Sequence, residues 1–287
     1  MLQMNLCLSG LAGCYARSAY PSAVEQAVRT IRSEDAEAVS LNEACRGDAV
    51  EIARRTGYHL RFAAVAYGAT ALPCVDPGGR GLFGNAVLTK QRIVSSRDGP
   101  FAAQADPEER RWLCATTTQD VTVCSSHLST RGSVGAQRAN DEQCRELASV
   151  LASYAARGAT IFGGDVNRDE SCAPAGSWTE TDTAATQAPG IQDVYGSSAF
   201  LSPASTVVPA PYTDHDFLRV DTRLSADRTS GTGEEPQSSP DSLLVSPTTF
   251  STTWAALRAA ARAAPSAGPP SLSPTVSRAP STLSSTT

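Results

Sequence analysis

Five short segments of this chain place amides, carboxylates and imidazoles at or just past apolar runs. They are Met4-Asn5, LNE ending at Glu43, SSHL with His127, GGDVN with Asp165 and Asn167, and TDHD with Asp214 and His215. Taken singly, each has a plain reading. Asn5 is a turn residue, Glu43 caps a helix, and GDVN is a strand-to-loop turn, because Asp and Asn both favour turns. A lone His127 or His215 is a hydrogen-bonded structural histidine. The joint pattern is different, since two of the three histidines and at least three carboxylates fall at strand ends in chain order. Together they offer hard oxygens for a cation, acceptors that orient water and imidazoles that donate, the kinds of group that metal-assisted hydrolysis uses. The third histidine, His59, fits no such pattern and reads as structural.

The elements that must position these groups are legible from periodicity. Leu2 to Leu8 reads as a short strand, and PSAVEQAVRTIR as a helix with Ser22 and Glu25 spaced as a capping box. AEAVSLNE is a strand ending at Glu43, after which Asp48 is expected to cap a second helix running through Arg55. HLRFAAVAY, GNAVLTKQRIVSS, RRWLCATTT and DVTVCSSHL read as strands, with CVDPGGRG as a loop. Ser133 to Ala156 predicts a long helix with Cys144, Leu147, Leu151 and Tyr154 facing inward. ATIFGGDVN is a buried strand ending at Asp165, and DFLRVDTRL is the last strand. The pattern is that of an α/β protein, whose ligand sites gather at strand ends.

The chain has 287 residues, room for one large domain or two small ones with a real core. Its formal net charge of −5 argues against a broad basic nucleic-acid-binding face, though not against an enzyme that meets nucleic acid through a metal and a few arginines. Arg131 and Arg138, shortly after His127, read either as contacts to a DNA backbone or as a solvated helix face. No apolar run reaches the ~20 residues that span a bilayer. The eight cysteines include no C-x-x-C pair, and an even number points to an oxidising compartment. Cys114 and Cys124 sit on two strands around a polar turn, where a cross-strand disulfide is natural; no full pairing is assigned. MLQMNLCLSG shows no signal peptide, so the expected extracellular location stands beside a cytoplasmic alternative. Of residues 225–287, 42 are Ser, Thr, Pro or Ala, too few apolar groups to offset ordering entropy. This stretch is read as a disordered tail with a possible short helix over 252–264, leaving 1–224 as the folded domain.

The order N … E … HL … GDxN … DH resembles the signature of the endonuclease/exonuclease/phosphatase superfamily, the fold of deoxyribonuclease I. Here it reads Asn5, Glu43, His127-Leu128, Asp165-Val166-Asn167 and Asp214-His215, with GNAVLTK at Gly84 to Lys90, and Arg138 and Gln143 in the following helix. The resemblance spans residues 2–224. It implies a four-layer α/β/β/α sandwich and hydrolysis of phosphoester bonds by in-line water attack. It implies Mg²⁺ or Mn²⁺ held by Glu43 with Asn5 beside it and Asp214 as a further carboxylate, hard oxygen donors that suit such ions. Asp165 would orient or deprotonate the water, Asn167 would hold it or a phosphate oxygen, His215 would donate to the phosphate, and His127 would bind phosphate or act as general acid. The family places an Asp where this chain has Gln192, to orient the last histidine. Either a bulge brings Asp193 to His215 or Gln192 does the orienting. The reading is of a monomeric, secreted DNase-like endonuclease acting on DNA. The alternatives are a sphingomyelinase- or inositol-phosphatase-like enzyme on phosphorylated lipid or inositol, or an inactive binding module.

Overall fold

Along Leu2-Gln3-Met4-Asn5 the side chains alternate in direction, yet all four residues are fully buried. A strand buried on both faces must lie inside a layered structure, and the computed structural model, which describes residues 1–12, 14, 20–105 and 107–225, shows the layers. In chain order the elements are β1 (Leu2–Asn5), α1 (Ser22–Glu34), β2 (Ala38–Cys45), α2 (Arg46–Thr56), β3 (His59–Ala64), β4 (Ala66–Tyr67), β5 (Thr70–Ala71) and β6 (Phe83–Thr89). Then follow β7 (Ile93–Pro100), β8 (Arg111–Thr117), β9 (Val121–His127), α3 (Val134–Ala155), β10 (Ala159–Asp165), β11 (Trp178–Thr181), β12 (Gln192–Gly196), β13 (Phe200–Val208) and β14 (Phe217–Leu224).

Two six-stranded sheets form, with orders β13-β14-β1-β2-β6-β3 and β11-β12-β10-β9-β8-β7. Leu2, Met4, Val39 and Leu41 face outward from the first sheet and pack against Val24, Val28 and Ile31 of α1 and Ile52 of α2. Leu147 and Leu151 of α3 pack with Phe162 and Tyr195 on the outer face of the second sheet. Between the sheets lie Val87, Leu113, Val123, Ile161, Val194 and Leu218. The result is the expected α/β/β/α sandwich.

Several local expectations change. Ser22 is the first helical residue rather than the cap; Pro21 holds the cap position without a side-chain bond, and Glu25 pairs instead with Arg55. Asp48 lies within the first turn of α2, buried against Arg80, while Cys45 holds its cap position. The run from Gly84 to Ser96 is two strands, β6 and β7, in different sheets. Ser133 does cap α3, accepting from the Ala136 N–H at 3.1 Å. Cys114 and Cys124 sit directly opposite on β8 and β9 and form a disulfide, alongside Cys7–Cys14, Cys45–Cys74 and Cys144–Cys172. Among the described residues no helix is long and apolar enough to cross a membrane. The tail from residue 226 and the helix expected over 252–264 lie outside the described residues.

Candidate active site

The parallel pairs β1–β2 and β9–β10 bring four strand ends to one edge of the sandwich. Asn5 lies beside Asn42 at the end of one pair, and His127 beside Asp165 at the end of the other. Glu43 arrives by a bulge. Asn42 and Glu43 together stand opposite Asn85 of β6, and Glu43 adopts φ 52°. Without the extra residue Glu43 would follow the strand alternation to the face opposite Asn42. Asn167, two residues past β10, also has φ 52°. Left-handed backbone at non-glycine residues costs about 1–3 kcal/mol and persists where surrounding structure enforces it.

The side chains converge as follows. The Asn5 amide Nδ2 donates to Glu43 Oε1 and to Asp165 Oδ2, each at 3.0 Å, and so stands between two carboxylates. Its Oδ1 is turned away, accepting from the Cys7 N–H at 3.2 Å. Asn5 therefore stands between the two acids with its amide nitrogen toward both. His127 bridges the same two acids, Nδ1 lying 3.8 Å from Glu43 and Nε2 lying 3.8 Å from Asp165. Asn167 Nδ2 meets His127 Nε2 at 3.0 Å and donates to Leu128 O. Because that amide nitrogen only donates, Nε2 accepts and the proton sits on Nδ1, toward Glu43. His215 Nε2 lies 3.6 Å from Asp165 and 3.8 Å from Asp214. Asp165 thus faces two imidazoles, and its Oδ1 accepts from the Asn167 N–H at 3.1 Å.

Beneath these groups the space between the sheets turns from apolar to polar. Asn42 Oδ1 accepts from the Asp165 N–H at 2.8 Å and from Gln3, while its Nδ2 donates to Asn85 and Ser125. Gln3, Asn42, Asn85 and Ser125 are all buried. In sequence they look like the solvent side of alternating strands, which hid their role. Arg110 was hidden in the same way, inside the charged run EERR. It is 6% exposed, pairs with Glu108 at 2.8 Å and lies at the end of the sandwich that carries His127.

Asp193 does not join the cluster. β10 and β12 pair without a register shift, Asp165 opposite Gln192 and Gly164 opposite Asp193. The bulge considered from sequence is absent, so Asp193 points to the helix side, where it accepts from the Tyr195 hydroxyl at 2.5 Å. Gln192 is on the Asp165 face, but its amide is committed to Asp216 O at 2.6 Å, Asp182 at 3.1 Å and Gln3 at 3.3 Å. Neither residue reaches His215, whose buried Nδ1 has no acceptor among the described residues. Gln143 is buried and holds the loop after His127 through Ser129, whereas Arg138 is exposed. His59 is exposed on β3, away from these groups.

Burial dominates the electrostatics. It pushes Glu43 up to about 7 against the pull of the Asn5 amide, with Glu108 and Asp165 adding to the rise. Asp165 is raised for the same first reason, partly offset by His215, Asn5, the Asn167 N–H and Arg110. His127 is held well below the ordinary imidazole value by burial, then by Arg110 and His215, so it is a neutral donor. Two desolvated carboxylates facing one cleft are what a divalent cation relieves, and their hard oxygens fit Mg²⁺ or Mn²⁺.

The Endonuclease/Exonuclease/phosphatase family pattern matches residues 11–215. No curated protein matches the chain. Among solved structures, an endonuclease/exonuclease/phosphatase from Beutenbergia cavernae DSM 12333 is 22% identical with a TM-score of 0.57, covering 78% of this chain and 70% of that one. The human Nocturnin catalytic domain with bound sulfate anion is 15% identical with a TM-score of 0.58, covering 78% and 92%. Truncated Caenorhabditis elegans TDP2 is 14% identical with a TM-score of 0.55, covering 78% and 97%. With the sandwich, the strand-end cluster and this match over most of its folded length, the chain belongs to the endonuclease/exonuclease/phosphatase family.

Proposed function

We propose that this protein is a divalent-metal-dependent phosphodiesterase, and specifically a secreted, monomeric endonuclease acting on DNA. One observation carries the reading: a single buried carboxylate, Asp165, is held by the Asn5 amide and faced by two imidazoles, with Glu43 on the far side of Asn5. Mg²⁺ or Mn²⁺, when bound, neutralises phosphate charge and polarises the phosphoester. Glu43 and Asp214 are the carboxylates that would hold it. Asp165 orients the attacking water and takes its proton. Asn167 fixes the position of His127, and neutral His127 donates through Nδ1. His215 donates to the phosphate oxygens as charge develops on them.

Two observations favour a nucleic-acid substrate in an oxidising compartment. The β4–β5 hairpin exposes one large apolar side chain, Tyr67, too little to enter a lipid surface. The eight cysteines form four disulfides, which persist outside reducing compartments. A supercoiled plasmid incubated with the protein and Mg²⁺, Mn²⁺ or EDTA tests the proposal. Nicking that needs the metal and disappears in Asp165→Ala and His215→Ala supports it, and intact plasmid with folded protein sinks it. The unsupported Nδ1 of His215 favours a second reading, a binding module without turnover. That reading predicts metal-dependent retention of DNA with no nicks.

A further inference from the structure

The Cys7–Cys14 disulfide lies against the proposed metal ligand. Cys7 Sγ, Cys14 Sγ and a Glu43 carboxylate oxygen all fall within 4.8 Å of one another. Two features bring them together. Cys7, with φ 46°, follows Asn5 closely enough for its N–H to bind the Asn5 Oδ1, and the bulge at Glu43 turns that carboxylate to the same side. The Leu8 N–H donates to Glu43 O at 2.9 Å, which fastens this loop to β2.

This disulfide also differs from the other three in access. Cys45, Cys74, Cys114, Cys124, Cys144 and Cys172 are all buried, whereas Cys14 is partly exposed. Thiol–disulfide exchange needs a path to a sulfur atom, and exposed disulfides are the labile ones. Cys14 is the one partly exposed half-cystine.

We propose that, once this bond is reduced, Cys7, Cys14 and Glu43 form a Zn²⁺ site that withdraws Glu43 from catalysis. A dithiol reductant supplies two electrons. The Cys7–Cys14 S–S bond breaks, the reductant closes to its own disulfide, and its two protons pass to the cysteine sulfurs. Zn²⁺ then displaces those two protons to solvent and binds two thiolates and one carboxylate, with water in the fourth position. Ligand atoms around one tetrahedral Zn²⁺ sit roughly 3.5–3.8 Å apart, a spacing the present separations reach with small movement. Soft thiolates select Zn²⁺ over Mg²⁺, so the reduced protein is silenced by zinc under conditions where the oxidised protein accepts a hard ion. The consequence for catalysis rests on the hydrolase reading above; the metal site does not. The device would keep the protein inactive wherever these two thiols stay reduced and zinc is present.

The test uses the full chain, treated briefly with dithiothreitol and desalted. Alkylation and peptide mapping identify the opened bond, and circular dichroism confirms the fold. Co²⁺ serves as the spectroscopic probe and Zn²⁺ as its competitor. The expected result is one Co²⁺ per chain with a thiolate-to-metal charge-transfer band, absent from the oxidised protein and from Cys7→Ser/Cys14→Ser, and lost on adding Zn²⁺. Glu43→Gln should keep the band but weaken binding about tenfold or more, as even an outer-shell partner is worth that much. A reduced protein without the band, or one in which another disulfide opens first, overturns the proposal. If the band forms and zinc leaves plasmid nicking by the reduced protein unchanged, the metal site stands and the role of Glu43 in hydrolysis falls.

Discussion

Asn5 shows how one side chain can organise a site through its contacts with neighbouring groups. Its amide nitrogen separates the buried Asp165 from the partly buried Glu43, which would otherwise repel, and its oxygen is anchored by a backbone N–H. Asn5→Asp would place a third acid between Glu43 and Asp165. A fall in plasmid nicking of about 10²-fold is expected, comparable to losing a positioned acid–base group, together with a lower melting temperature. Asp165→Asn removes the water's acceptor while preserving shape, and should cost about 10²–10⁴-fold in rate with little change in melting temperature. Asp193 gives the contrasting case. Burial raises it to about 6, so the folded protein keeps a proton there that the unfolded chain loses near 3.8. Between these values the folded state binds more protons, and stability falls as pH rises. Asp193→Asn retains the acceptor for Tyr195 and removes that fall. Its stability relative to the parent should climb by about 2–3 kcal/mol from pH 4 to pH 6 in urea titrations, and an unchanged pH profile would refute the assignment.

At the scale of elements, two devices shape the cleft. The bulge in β2 lets consecutive residues, Asn42 and Glu43, serve the same end of the sandwich. Asn42 is the hinge of the buried amide layer, with four hydrogen bonds that include the Asp165 N–H. Asn42→Ala leaves buried donors without acceptors and should destabilise by about 2–4 kcal/mol, measured by chemical denaturation, with a rate loss as Asp165 shifts. The second device is the glycine pair before Asp165. A Cβ on Gly164 would stand 2.4 Å from Ser126 O and from the Phe162 ring, and one on Gly163 would stand 2.8 Å from Met1 Cε and 3.1 Å from Ser40 Cβ. The close approach of β10 to the β9 backbone requires Gly164, whereas at Gly163 the nearest atom is the mobile end of Met1. Gly164→Ala meets backbone, which cannot swing aside, and should cost at least about 1–3 kcal/mol.

For the whole molecule, every group of the site comes from residues between Asn5 and His215, on two sheets that pack across a core apolar in the middle and polar beneath the cleft. A chain ending at Ser225 should therefore nick plasmid as fast as the full chain; a large loss would show that residues 226–287 contribute to catalysis. Cys45–Cys74 and Cys144–Cys172 tie loops to β2 and α3, and Cys114–Cys124 joins β8 to β9. Cys45–Cys74 lies beside the buried Arg80–Asp48 pair, whose arginine also donates to Leu8 O and Val75 O.

The sequence by itself determined the layers and the family, and it named the groups from which the chemistry is proposed. The short strand at Leu2 to Leu8, the buried run ATIFGGDVN, the long α3, and acids and imidazoles at strand ends are local patterns that survive any packing. Composition and an even cysteine count likewise pointed to a disulfide-bonded fold. The tertiary structure decided what depends on register and on burial. Asp193 and Gln192 differ by one position, and only pairing with β10 shows which face each takes. Ser22 and Asp48 carry cap-forming side chains, but Pro21 and Cys45 hold the cap positions, and Asp48 pairs with Arg80 inside the first turn of α2. Gln3, Asn42 and Arg110 look solvent-bound in one dimension, since nothing local says that a second sheet will cover them. The contact of Cys7 and Cys14 with Glu43 joins residues about thirty positions apart, and it exists because a bulge and a left-handed turn meet at one strand end.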